Sequence, residues 1–131
     1  MMKKLLQQFL FIGLSAILSV KLAYASSLAL MPGVTIDFTL NPNSRQEFTN
    51  FAFQTVTANC TITTDSLAGN DIFVEVLRKK GQVNDVPLSA GDTTIIHVNT
   101  GDNLRITAES GGKVALTNMG DTVVKARCVS Q

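Results

Sequence analysis

From residue 34 onward, apolar side chains recur at every second position through one short stretch after another, and this period of two constrains the fold more than any other feature of the chain. Val34, Ile36, Phe38 and Leu40 alternate with Thr35, Asp37 and Thr39. Val56, Ala58, Cys60 and Ile62 alternate with Thr55, Thr57, Asn59, Thr61 and Thr63, and Val124, Ala126 and Cys128 alternate with Lys125 and Arg127. Successive side chains of an extended strand point to opposite faces, so each stretch reads as a strand with one buried and one wet face. No stretch keeps a helical period, so the crossover helices of a parallel sheet are not expected. Composition agrees: Thr, Val and Ile supply 31 of the 106 residues from Ser26 to Gln131, and branching at Cβ suits a pleated surface better than a helix.

Further strands are predicted at 47–53, 72–78, 83–88, 93–99, 103–109 and 113–118. They are separated by turn signals such as Asn41-Pro42-Asn43, Lys80-Gly81, Ala90-Gly91-Asp92, Thr100-Gly101-Asp102, Ser110-Gly111-Gly112 and Met119-Gly120-Asp121. About seven to nine short strands spaced this way predict an antiparallel two-sheet β-sandwich, Ig-like or jelly-roll-like. Ile72 to Leu77 is apolar on both parities apart from Glu75, which suits a central strand. Pro87 has no N–H to give to a ladder and places 83–88 at an edge or a bulge.

The N-terminal segment follows a different rule. Lys3 and Lys4 precede an apolar, charge-free run from Phe9 to Val20 broken only by Ser15 and Ser19, and Ala23-Tyr24-Ala25 follows it. That is the layout of a secretory signal peptide cleaved after Ala25, and the run is shorter than the roughly 20 residues a helix needs to span a bilayer. The expected division is a cleaved leader over 1–25, an N-terminal arm over 26–33 and one sandwich domain over 34–131, delivered to the periplasm or outside the cell. No stable membrane insertion is expected after cleavage. Beyond Ala25 there are eight Lys or Arg against ten Asp or Glu, a net charge of −2, which disfavours a nucleic-acid partner. No Trp is present and Tyr24 leaves with the leader, so five Phe are the remaining aromatics. Sugar-stacking and base-stacking platforms, which use such rings, lose weight accordingly.

Cys60 and Cys128 are the two cysteines of the chain. An even count in an exported chain, with both residues in phase with buried neighbours, predicts a Cys60–Cys128 disulfide. Two cysteines and the lone His97 fall short of the four ligands of a structural zinc site. The recurring Gly91-Asp92, Gly101-Asp102 and Gly120-Asp121 pairs admit a calcium reading, since calcium wants several hard oxygens. Their spread over 30 residues favours the plainer reading, in which glycine takes a positive φ and aspartate caps the turn. No metal and no cofactor are expected.

Other candidate sites are few. Arg78-Lys79-Lys80 is the one basic cluster after the leader, read either as a contact for an anionic partner or as a solvated, aggregation-blocking hairpin tip. His97 has no nucleophile elbow or cysteine partner beside it, and nothing in the spacing of Glu47, Glu75 and Glu109 marks a catalytic pair. Phe48, Phe51 and Phe53 form a local aromatic cluster expected to pack in the core; were Phe48 and Phe73 exposed instead, they would mark a protein contact. Asn59-Cys60-Thr61 matches a glycosylation sequon, which matters only in a eukaryotic secretory pathway.

The run from Phe38 to Cys128, with TANCTI (57–62), VNDVPLSAGD (83–92), GDNLRITAESGGKVALTN (101–118) and a closing Ala126-Arg127-Cys128, resembles small exported β-sandwich proteins of Gram-negative bacteria. The resemblance implies export and a sandwich fold, and it brings no activity or site residues. Immunoglobulin-like domains share the alternation and the long-range disulfide, but their core Trp and corner Tyr are absent. Fimbrial subunits share the leader and disulfide, but the penultimate Tyr is replaced here by Ser130. The expected function is a non-enzymatic binding module that meets another exported or surface protein through a surface or sheet edge. The alternatives are a structural or adhesive subunit whose arm pairs with a neighbour by strand addition, and a small hydrolase or enzyme inhibitor.

Overall fold

The alternation is realised as eleven strands: β1 (Ser27–Leu30), β2 (Thr35–Leu40), β3 (Arg45–Asn50), β4 (Val56–Thr64), β5 (Asn70–Arg78), β6 (Lys80–Val83), β7 (Val86–Ser89), β8 (Thr93–Val98), β9 (Asn103–Ala108), β10 (Lys113–Asn118) and β11 (Val124–Ser130). The structure is a computed structural model that describes residues 27–131; the predicted leader lies outside them. The strands form two sheets, ordered β1-β3-β10-β5-β8 and β2-β11-β4-β9-β6-β7.

The pairing has a simple logic. Five antiparallel pairs nest inside one another: β2 with β11, β3 with β10, β4 with β9, β5 with β8 and β6 with β7. The chain from Thr35 to Ser130 is therefore one long two-stranded ribbon. Successive pairs alternate between the sheets, so the ribbon folds back and forth across the sandwich, which is jelly-roll topology. Its tip is the β6–β7 hairpin, where Asn84 and Asp85 take φ of 48° and 68°. Positive φ at both central residues defines the tight turn whose twist matches that of the flanking strands. The single strand predicted at 83–88 is thus corrected to a hairpin with this turn inside it. Pro87 sits on β7, the edge of its sheet, where its missing N–H leaves no ladder bond unmade.

Two other boundaries differ from expectation. The strand predicted at 47–53 ends at Asn50. Arg78 to Lys80 is not a hairpin tip: β5 ends at Arg78 in one sheet and β6 starts at Lys80 in the other, with Lys79 making the corner at φ 61°. At the N-terminus, Ser27 to Leu30 pairs in parallel with Glu47 to Asn50, and Leu30 is buried.

Inward residues of both sheets fill the core, among them Leu40, Val56, Ile62, Val74, Ile106 and Leu116. Phe38 of β2 meets Phe48 of β3 edge-on, with centroids 5.0 Å apart, so this aromatic pair bridges the two sheets. The predicted disulfide joins Cys60 of β4 to Cys128 of β11, which face each other in register. Thr57 and Gln131 exchange both backbone hydrogen bonds. By the alternation of antiparallel ladders, Cys60 and Cys128 therefore fall on a close, non-hydrogen-bonded pair, and their Cα atoms are 3.9 Å apart. The bond thus lies within one sheet and anchors the C-terminal strand.

Because each crossing reverses direction, the ribbon's corners alternate between two ends of the sandwich. One end gathers residues 41–44, 65–69, 99–102, 119–123 and the Asn84-Asp85 tip. The opposite end gathers 31–34, 51–55, 109–112, the Lys79 corner and residues 90–92.

Candidate functional site

The second of these ends carries the least expected feature of the molecule. Phe51 is 68% exposed and Phe53 102% exposed, on the β3–β4 connection at 51–55. Apolar side chains of this size are normally withdrawn from water, yet here the small Ala52 packs against the core while the two rings beside it point out. Asn50, fully buried at the end of β3, causes the inversion. Its Oδ1 accepts the Ala52 N–H at 2.8 Å, and its Nδ2 donates to the carbonyls of Gln54 (2.8 Å) and Ala108 (2.9 Å). An Asn side chain that bonds the backbone two residues on imposes a turn. The Asn50 backbone is held in turn by Gly111 and Gly112, each at 2.9 Å, and Ser110 Oγ donates to the Ala52 carbonyl at 2.6 Å. The loop is therefore fixed against the 109–112 turn with its phenylalanines outward.

Cationic side chains flank the same turn. A methyl group added at Gly111 would meet Lys79 Cε at 3.6 Å, so the Lys79 stem runs beside it. Lys80 and Glu109 are tied through the backbone, the Glu109 N–H donating to the Lys80 carbonyl at 3.1 Å and the Lys80 N–H to Glu109 Oε1 at 2.9 Å. A shallow depression of about 410 Å³ opens alongside on the outer face of the second sheet, lined by Thr55, Lys80, Gln82, Pro87, Thr107 and Glu109. At the same end, the parallel register of β1 and β3 runs out at Leu30 opposite Asn50, so Met31 leaves the sheet beside Phe51, and Met31 and Val34 are both exposed.

The two phenylalanines named as a conditional contact separate differently. Phe48 is 1% exposed and belongs to the core, so the exposure on which its contact role depended is not met. Phe73 is half-buried on the outer face of the same sheet, opposite Ile95 on β8 and Thr117 on β10. The structure does not bring the pair together. Phe51 and Phe53 were expected in the core, and the signal against it was parity: Phe48 is out of phase with both, so one half-buried strand could not bury all three.

His97 and the acidic residues are engaged elsewhere. His97 Nδ1 lies 2.8 Å from Asp71 Oδ1 and Nε2 lies 2.7 Å from the Ala68 carbonyl. Both partners are acceptors, so both nitrogens hold protons in the favoured state; the Asp71 bond first, then the Ala68 carbonyl, raise the pKa of His97 above its ordinary value. In that doubly protonated form the ring has no lone pair to offer as a general base, and its Nε2 faces the Ala68 carbonyl. Gly69 is what permits the contact, since a Cβ there would come within 2.6 Å of His97 Nε2 and 2.5 Å of the Val98 carbonyl. Glu47 and Glu75 flank Ala115 of β10 from either side and are joined through Arg45, which binds them at 3.2 and 3.1 Å, while Glu47 also binds Lys113 at 3.1 Å. The Lys113 ammonium, with Arg45, holds the Glu47 carboxyl below its usual range. That is the opposite of what a general acid needs.

Two of the Gly-Asp pairs are built alike as turns. Asp92 donates its N–H to the Ser89 carbonyl and accepts the Ser89 N–H at Oδ2, and Asp102 does the same with Asn99. At Gly120-Asp121 the Asn118 side chain organises the turn instead, accepting the Gly120 N–H at 2.9 Å. Among the described residues no group of three or more His, Cys, Asp or Glu side chains could hold a metal ion.

The strand order and disulfide define a single-disulfide jelly-roll sandwich. No protein-family model and no curated protein matches the chain. Among solved structures it is similar to a de novo designed double-stranded β-helix determined by solution NMR, at 16% identity over 75% of this chain and 99% of that one, with a TM-score of 0.34. It is also similar to PliG of Aeromonas hydrophila, a periplasmic lysozyme inhibitor of g-type lysozyme, at 7% identity over 82% of this chain and 97% of that one, with a TM-score of 0.36. Neither likeness bears on what this chain binds.

Proposed function

We propose that this protein is an exported, non-enzymatic binding module whose contact surface is the end of the sandwich bearing the β3–β4 loop. The observation that carries the reading is the pair Phe51 and Phe53, exposed on a loop whose backbone is locked by the buried Asn50. A loop fixed before binding spends little conformational entropy when it docks, and exposed rings in such a loop are poised for burial by a partner. Export is supported by the leader-like N-terminus and by a disulfide, which persists in oxidising compartments. The non-enzymatic reading is supported by the engagement of His97 on both sides and by the cationic partners of Glu47 and Glu75.

A photo-activatable cross-linker placed at position 53 tests the surface in the native cells. It is expected to give an adduct, with protein or with phospholipid, that the same cross-linker at the exposed Thr39, toward the other end of the sandwich, does not. Equal labelling from both positions, or none from position 53, would remove this end from consideration. An inhibitor of a hydrolase is one case of such a module, and the identity of the adduct would reveal it.

A further inference from the structure

Resting on the reading of this end as the contact surface, we infer that its partner is the surface of a bilayer containing anionic phospholipid. Phe51 and Phe53 enter the acyl boundary while Arg78, Lys79 and Lys80 meet the phosphates. The apolar part of the argument is one of distribution. Met31, Val34, Phe51 and Phe53 are four of the nine large apolar side chains exposed among the described residues, and they share one end. Phe53, fully exposed, protrudes instead of lining a groove, and a protruding ring suits a fluid interface that deforms around it.

The charge argument is independent. Arg45, Arg105, Lys113 and Arg127 each have an acidic partner. Arg78, Lys79 and Lys80 have none among the described residues, although acidic groups outnumber basic ones from Ser26 onward; the remaining cation without an acidic partner, Lys125, stands apart from them opposite Thr39 and Thr63, toward the other end. Unpaired cations gathered beside exposed rings complement a layer of phosphates over hydrocarbon, and long basic side chains can lay their stems along the apolar boundary while their heads stay with the phosphates. Lys79 adds a third sign. The other non-glycine residues at positive φ are Asn43, Asn84 and Asp85, of types that tolerate that conformation, whereas lysine is held at φ 61° where glycine would serve the corner better.

Near an anionic surface each cation is worth about fivefold in binding, so the three together are worth roughly 100-fold. Two inserted phenylalanines are worth about tenfold each or more. The exported chain, purified with its N-terminus defined by mass, should float with vesicles of phosphatidylglycerol and phosphatidylcholine and not with phosphatidylcholine alone. It should be released by about 0.5 M salt, which screens the charges. F51S/F53S and R78Q/K79Q/K80Q should each lose about 100-fold in binding, with melting curves confirming that both fold. Failure of the parent chain to bind anionic vesicles, or binding that neither variant weakens, overturns the inference. If vesicles are ignored while the cross-linker at position 53 still captures a protein, the lipid assignment falls and the contact surface stands; if both experiments are blank, both fall.

Discussion

Asn118 lies fully buried between two corners of the ribbon. Its Nδ2 donates to the carbonyls of Leu40 (3.0 Å) and Thr122 (2.8 Å), and its Oδ1 accepts from Asn70 Nδ2 and the Gly120 N–H. Replacing it with leucine keeps the volume but strands these groups, and a buried unsatisfied group costs about 1–3 kcal/mol. Asn118→Leu is therefore expected to lower unfolding free energy by about 3 kcal/mol in urea titration. His97 makes a prediction of sign. Its folded pKa is raised, so its contribution is fully present below the unfolded value of about 6.5 and is lost as pH rises through the folded pKa. The melting temperature of His97→Gln should fall below that of the parent chain at pH 5.5, and the gap should narrow by pH 9. A gap that is constant across this range would contradict the bridge between Asp71 and Ala68. In the sequence these residues had uneven visibility. Asn118 is in phase with Val114 and Leu116, so its burial was legible from parity, but of its four partners only Gly120 and Thr122 are close in sequence, while Leu40 and Asn70 are 78 and 48 residues away and could not be read locally.

At the scale of elements, the period of two located the strands well where one face is wet and failed where the chain turns sharply. Within the strand expected over 83–88, Val83 and Val86 have opposite parity with Asn84-Asp85 between them, and that break of phase separates one strand from two strands joined by a two-residue turn. The difference lies in φ, positive at both Asn84 and Asp85, which these residue types tolerate and β-branched ones resist. Asn84→Val should cost about 1–2 kcal/mol through that backbone alone, and it also removes the Oδ1 that accepts the Arg105 N–H at 2.9 Å. Hydrogen exchange faster in the β6–β7 hairpin than in β4 would localise the damage. The Lys79 corner gives the opposite outcome: Lys79→Gly should raise stability by about 1 kcal/mol in thermal unfolding while weakening attachment to anionic vesicles. A stabilised variant that binds no worse would leave the lysine without a role at the surface.

For the molecule as a whole, the nested ribbon makes almost every strand pair non-local. The disulfide closes a separation of 68 residues, which the chain-entropy model values at roughly 4 kcal/mol. Reduction, or Cys60→Ala with Cys128→Ala, should lower the unfolding free energy from urea titration by that order, and an unchanged value would mean that β11 is held well enough by its ladders with β2 and β4 alone. By itself the sequence determined the fold class, which side chains face inward along the clearly alternating strands, and the cysteine pairing. All three follow from which side of a pleat a residue occupies, and that is a local property with a fixed period. Tertiary structure decided which strands are neighbours, why the chain rolls into a jelly roll, and that the β3–β4 loop shares an end with the Lys79 corner. Those outcomes depend on contacts between segments tens of residues apart. The exposure of Phe51 and Phe53 belongs to the second group, because it hangs on the Asn50 side chain reaching Ala108 and on the Asn50 backbone meeting Gly111 and Gly112, partners that no local period could have named.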